Sequence, residues 1–238
     1  MTTVHINQPR FLPALNYLQR MLIADIFVYR DDVQFAPKDW ENRNKIKTRD
    51  GWIWLTVPVR SHHGIPINDV EIDNTVPRWR GKIIQSIICN YARAPYYAEF
   101  MPTFEELLSK DWKRLVDLNY AIIHFFRTAW RMYELDGVKT KFVFASQLGC
   151  EGDTDEILIA MCKKLGATTY LSGAEGRNYN RLHRWDEEGI RLRYHDYTYP
   201  EYPQQHGEFL PWMCALDLLL NCGAAGREYL EQPMKPTS

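Results

Sequence analysis

The pattern of apolar and polar positions divides the chain into short β-type runs separated by loops and helical segments. Residues 4–6 form a β-prone run, and Pro9 and Pro13 end it before a helical pattern over residues 14–22. Residues 26–29 are again apolar throughout and close on Arg30-Asp31-Asp32, the polar stop of a buried strand. This spacing predicts a βαβ start. Residues 35–49 are polar, basic and tryptophan-containing and read as a loop, and residues 52–59 as a strand. Turns at 61–64 and around a short strand within 68–73 precede Pro77, which opens a helix over 78–89 with Ile83, Ile84, Ile87 and Ile88 on one face.

From residue 95 to 135 helical spacing dominates. Thr103, with Glu106 three positions on, predicts an N-cap, and Leu115, Leu118, Ile122, Phe125 and Phe126 recur at helical intervals. A strand over 141–145, a helix over 153–165 capped by Asp153 or Thr154, and a strand over 168–171 form a second βαβ unit. A small-residue turn, Ser172-Gly173-Ala174-Glu175-Gly176, leads to a segment at 183–188, a strand at 190–194 and a final helix near 212–221. The expectation is a single α/β domain over 1–238. It has a mostly parallel sheet with flanking helices, Rossmann-like in outline, and an inserted helical segment around 77–135.

Composition narrows the partners. A chain of 238 residues with 45% hydrophobic content is long enough to bury its own core. A formal net charge of -1 gives no electrostatic reason to expect nucleic acid or an anionic membrane, so any phosphate binding has to be local. The longest apolar stretches fall far short of the roughly 20 residues that cross a bilayer. Residues 1–8 lack an export signal, and the five cysteines form no CxxC pair, so a cytoplasmic location with reduced thiols is expected. Eight tryptophans and fourteen tyrosines exceed what a core needs and favour a stacking or sugar-facing pocket.

The strongest chemical cluster lies in the first fifty residues. In a parallel sheet the loops after adjacent strands share one edge, which brings Asn7 and Gln8 toward Asp31, Asp32 and Gln34. Arg43, Lys45 and Lys47, with Trp40 and Asn42, follow in the basic loop and suit an anionic group. The bland alternative is a turn plus a solvated charged loop. Ser172 and Gly173 after a strand, with Tyr179, suit backbone contact to a phosphate or carboxylate, or equally a tight turn. Among seven histidines none has metal-site spacing, so no metal is expected. His5 and His206 lie where proton transfer is feasible, and His5 ranks first.

The segments Gln8-Pro9-Arg10-Phe11-Leu12-Pro13, Asp31-Asp32-Val33-Gln34, Asn42-Arg43-Asn44-Lys45-Ile46-Lys47 and Trp54-Leu55-Thr56-Val57-Pro58-Val59 together resemble the WbqC-like family. Tyr170-Leu171-Ser172-Gly173, Tyr179, the 197–202 region, Leu216-Asp217 and Asn221-Cys222-Gly223 resemble its carboxyl-terminal half. The chain departs from the family at Arg10-Phe11, where a small polar residue before Tyr is usual. The resemblance implies a bacterial biosynthetic enzyme that forms an amide or imine C–N bond, with a suggested glycine transfer onto an O-antigen aminosugar. The partners expected are a small amine and a carrier-protein-bound or nucleotide-sugar substrate, with no cofactor required. On this reading Asp31 or Asp32 takes the ammonium proton, two adjacent carboxylates raising each other's pKa, and Arg43 or Lys45 stabilises the oxyanion.

Two alternatives stand beside it. Strand, proline-bearing loop, helix and a later Ser-Gly turn are similar in outline to nucleotidylyltransferases and ligases that use ATP, although the paired histidines of that motif are absent. A non-catalytic module would instead bind a sugar or carrier protein through Trp40, Trp52 and Trp54. Convergence of the polar residues in a concave pocket separates an enzyme from such a module.

Overall fold

The computed structural model describes residues 1–132 and 140–232. Five parallel strands form the main sheet: β1 (Thr3–Asn7), β2 (Ile26–Tyr29), β7 (Lys141–Phe144), β8 (Thr169–Gly173) and β9 (Arg191–His195). Their spatial order is β7-β2-β1-β8-β9, so the chain builds outward from β1 in one direction and then in the other. This is the Rossmann-like order, and its topological switch point falls between β1 and β8. Register follows the apolar runs: Val4 pairs with Ile26 and Asn7 with Tyr29.

Alternation along the strands sorts side chains between two cores. Val4, Ile6, Ile26 and Val28 point to one face, where they meet Leu158 and Met161 of α5 (Thr154–Lys164) and Trp185 of α6 (Leu182–Glu187). Tyr170 stacks flat on Trp185, ring centroids 4.6 Å apart. Phe27 and Tyr29 point to the other face, into a larger core with α1 (Leu15–Ile23), α4 (Leu115–Ala129) and α7 (Ala215–Cys222). α5 starts on a complete capping box between Asp153 and Glu156, so two of its first-turn donors are satisfied locally.

Between β2 and β7 the chain inserts an antiparallel hairpin of β3 (Arg43–Thr48) and β4 (Gly51–Thr56), a two-stranded piece of β5 (Val59–Arg60) and β6 (Glu71–Ile72), then α2 (Trp79–Tyr91), α3 (Tyr97–Ser109) and α4. The expected loop over 35–49 is therefore half strand. Its alternation was disguised because inward positions are polar: Asn44 is buried and donates to the Leu12 carbonyl at 2.6 Å, while Arg43 and Lys45 face outward over tryptophan rings.

Other boundaries moved for local reasons. Arg78 adopts φ 56, so α2 begins at Trp79 rather than at the Pro77 turn. Thr103 caps nothing, because α3 starts at Tyr97 and carries Pro102 in its interior. Trp212 adopts φ 66, which delays α7 to Ala215. α8 (Arg227–Leu230) was not expected, and the end of the helical stretch predicted to residue 135 lies outside the described residues.

Candidate active site

The carboxyl ends of the sheet strands open into a cleft of about 730 Å³ at the β1/β8 switch point. Open α/β sheets place ligands here because the loops on either side of the switch diverge and leave a crevice. β1 contributes His5, Asn7 and Gln8, β8 and its following turn contribute Gly173 and Glu175, and β9 contributes His195. Trp40 reaches in from the inserted segment, and Tyr179, Tyr197 and Trp212 complete an aromatic rim. The volume is that of a pocket for a drug-sized ligand.

Both histidines are buried, neutral and fixed in orientation. His5 Nδ1 donates to the Leu171 carbonyl at 2.6 Å, which leaves Nε2 to accept from the Asn7 amide at 3.3 Å. Burial, reinforced by the Arg20 charge, holds its pKa well below the usual histidine value. His195 is arranged in the opposite tautomer. Its Nε2 donates to Gln19 Oε1 at 2.6 Å and its Nδ1 accepts from Arg20 Nε at 3.2 Å, and burial lowers its pKa to about 4.

Among the described residues three arginines line the cleft, in different electrostatic states. Arg30 is paired with Asp32. Arg20, on α1, is 8% exposed, and no carboxylate among the described residues pairs with it. Burial and the neighbouring Arg10 charge bring its pKa down to about 10. Its guanidinium packs against the end of β8, where a Cβ on Gly173 would stand 3.5 Å from Nη1. Arg10 leans over the Tyr17 ring with its Nε buried and unpartnered. Nearby Glu41 is buried with an unpartnered Oε2, and loss of water raises its pKa to about 7.

The sequence-predicted residues thus divide. Asn7, Gln8, His5, Trp40, Gly173 and Tyr179 converge on the cleft. Asp31 does not line it: its carboxylate accepts from the Ser146 backbone N–H at 3.0 Å and from the Ser146 hydroxyl at 2.8 Å, bracing the segment after β7. Asp32 is not among the lining residues and pairs with Arg30, which is. Arg43 lies over the Trp54 ring at 4.1 Å and Lys45 over Trp52 at 4.2 Å. Lys47 is buried and donates to the Glu208 carbonyl, and Asn42 donates to the Val57 carbonyl at 3.0 Å. Gln34 is exposed and bridges to Pro66 through its backbone.

Ser172 is sealed beneath the turn, accepting from the Asn180 amide at 3.1 Å. A Cβ at Gly176 would fall 2.0 Å from the Ser172 hydroxyl, so glycine is there to let the turn close on the serine. Arg10 and Glu175, which lie in the predicted polar segments but were given no role, Tyr197 from the carboxyl-terminal region, and the unanticipated Asn16, Arg20 and Trp212 also line the cleft. Arg20 was hidden inside an amphipathic helix, where nothing in spacing separates a buried arginine from a solvated one. Among the described residues no cluster of His, Cys, Asp and Glu is arranged to hold a metal ion. No described helix is long and apolar enough to cross a membrane.

Comparison with known proteins agrees with the motif pattern. The family model described as the WbqC-like protein family matches residues 8–229. The uncharacterized protein Rv1507c of Mycobacterium tuberculosis is 31% identical over 236 residues, covering 97% of this chain and 98% of that protein. No solved structure matches. With nearly its whole length matched by the family model and by this relative, the chain belongs to the WbqC-like protein family.

Proposed function

We propose that this protein is an enzyme that forms a C–N bond between an amine and an activated carbonyl in the switch-point cleft. The observation that carries the reading is convergence: polar groups from the ends of β1, β8 and β9 meet in one concave space behind an aromatic rim. The family resemblance favours this chemistry over other reactions such a cleft can host.

His5 is the proton acceptor in this reading, in place of Asp31 and Asp32. As the amine nitrogen bonds to the carbonyl carbon, the carbonyl π electrons move to oxygen. The ammonium of this adduct is far more acidic than a free one, so even a weakly basic imidazole takes its proton at Nε2. Collapse of the adduct expels the leaving group, which carries that proton away. Asn7 moves from its hydrogen bond on Nε2 to admit the proton, and the Gln8 amide donates to the developing oxyanion. The donor arrives already activated, so ATP is not needed.

The test is to incubate the protein with 15N-labelled glycine and a panel of other amines and activated acyl donors, and to read labelled amide or imine by mass spectrometry. Wild type gives product, and His5→Asn lowers kcat about 10²–10⁴-fold with little change in KM. Equal turnover in the variant removes His5, and no product across the panel removes the reading. Calorimetry with ATP and magnesium addresses the ligase alternative.

One observation favours a second reading. Trp40 contacts Trp54 at 5.6 Å and Trp54 contacts Trp52 at 5.4 Å, so an aromatic ladder runs from the cleft out to Trp52, which is 43% exposed. Such a ladder suits a non-catalytic module for a sugar chain. Oligosaccharide binding that survives His5→Asn, together with absent turnover, selects it.

A further inference from the structure

A buried guanidinium is stable only when something offsets its charge, and Arg20 has half an environment. Its Nε is spent on His195, but both histidines within reach are neutral and no carboxylate pairs with it among the described residues. Arg10 forms no ion pair among the described residues, although its charge reaches the buried Glu41, and toward Arg20 it adds repulsion rather than relief. The contrast with Arg30, which keeps Asp32 as its counter-ion in the same cleft, shows that the fold supplies a carboxylate where it needs one. Glu175, the carboxylate on the cleft wall, is instead held by the Asn178 amide at 2.9 Å. Opposite the guanidinium, Gly173 leaves Arg20 without a side chain covering it from the end of β8.

We propose that Arg20 and Arg10 form an oxyanion-binding subsite on the β1/β8 side of the cleft, which takes a phosphate or carboxylate group of the substrate as their missing counter-ion. The planar guanidinium offers paired N–H donors to either group. Trp40, Tyr179 and Tyr197 leave room for a ring attached to that anion, so the ligand class is a small molecule with an anionic end and a stackable body. The subsite deepens the C–N bond-forming reading, which it assumes only in naming the ligand as substrate.

The experiment is a titration of the full chain with inorganic pyrophosphate and, separately, with succinate, followed by thermal shift and calorimetry at fixed ionic strength, with sodium chloride as the control. Saturable stabilisation by pyrophosphate assigns a phosphoryl end, and by succinate a carboxylate end. Arg20→Gln is expected to weaken the effective anion at least 10-fold and Arg10→Gln about 10-fold, with Arg20→Lys intermediate. If Arg20→Gln fails to fold, Arg10→Gln, in the partly exposed residue, carries the test. Stabilisation by neither anion beyond sodium chloride, or equal binding by wild type and Arg10→Gln, overturns the subsite. Anion binding without any condensation product leaves the subsite standing and fails the enzyme reading alone. Turnover unaffected by Arg10→Gln and Arg20→Gln does the reverse.

Discussion

Asp217 and Arg20 are both nearly sealed from solvent, at 1% and 8% exposure, and their surroundings differ in kind. Asp217, on α7, accepts from Tyr91 at 2.6 Å, from Tyr202 at 2.7 Å and from Gln204 at 2.8 Å, with the Lys47 charge nearby. Tyr91 in turn accepts from the Lys47 backbone N–H at 2.9 Å, so the cluster ties α2, β3, α7 and the segment after β9 together. Both oxygens of this carboxylate are partnered by the protein. Arg20 is satisfied on one edge and faces a cleft on the other. Burial of charge is common to both; what marks a binding site is an unanswered valence pointing into space.

The largest effect is expected at Asp217. Asp217→Ala leaves the buried Tyr91 and Tyr202 hydroxyls without their acceptor and removes the carboxylate beside Lys47 and Gln204, which keep backbone-carbonyl acceptors; it is expected to destabilise the protein by about 3–5 kcal/mol in urea denaturation, with Tm falling on the order of 10 °C. A loss under 1 kcal/mol means the network is ornamental. Asp217→Asn, which keeps the shape and one acceptor, is expected to lose less.

The pH dependence sharpens the contrast on the cleft side. His195 has a folded pKa of about 4 against 6.5 unfolded, so the unfolded chain takes up the proton first as pH falls below 6.5. Stability then declines toward pH 4, by on the order of 3 kcal/mol for His195 alone, and His5 acts in the same direction. Glu41 is opposite in sign. Its folded pKa of about 7 exceeds 4.5, so its contribution is complete at low pH and is lost as pH rises through 7. Between pH 4.5 and 6.5 the two slopes oppose each other. Glu41→Gln is expected to expose the histidine slope, losing Tm on acidification more steeply than wild type. Superimposable profiles would deny Glu41 its titration.

Smaller effects separate the regions further. Tyr202→Phe removes one donor to Asp217 and is expected to lower stability by about 1 kcal/mol. Arg10→Gln is expected to change stability least, within about 0.5 kcal/mol, because relief of the repulsion on Arg20 is offset by loss of the attraction to Glu41. A destabilisation comparable to that of Tyr202→Phe would mean Arg10 is a structural residue like those around Asp217.

The sheet was legible because β2 is an unbroken apolar run, β8 opens on the β-prone Thr169-Tyr170-Leu171 and closes on a small-residue turn, and α5 announces itself with Asp153 and Glu156. The hairpin was not, because Asn42 and Asn44 occupy inward positions that pattern reading reserves for apolar side chains. Within the site, Asn7 and Gln8 were found because they follow a strand at the edge where open sheets bind ligands. Asp31 and Lys47 carried the same polar signature and turned out to brace the fold. Polarity in a sequence marks residues that need partners, and only the folded chain tells whether the protein supplies them.

The hairpin ladder makes the cleft optically addressable. Trp40 stands in the cleft wall and lies 5.6 Å from Trp54, whose ring meets Trp52 at 81°. Indole rings this close are near enough for their excited states to couple, and the Arg43 and Lys45 cations lie 4.1 and 4.2 Å from the Trp54 and Trp52 rings. A ligand entering beside Trp40 is therefore expected to perturb near-ultraviolet circular dichroism and tryptophan emission together, a reporter of occupancy that needs no label and no knowledge of the substrate.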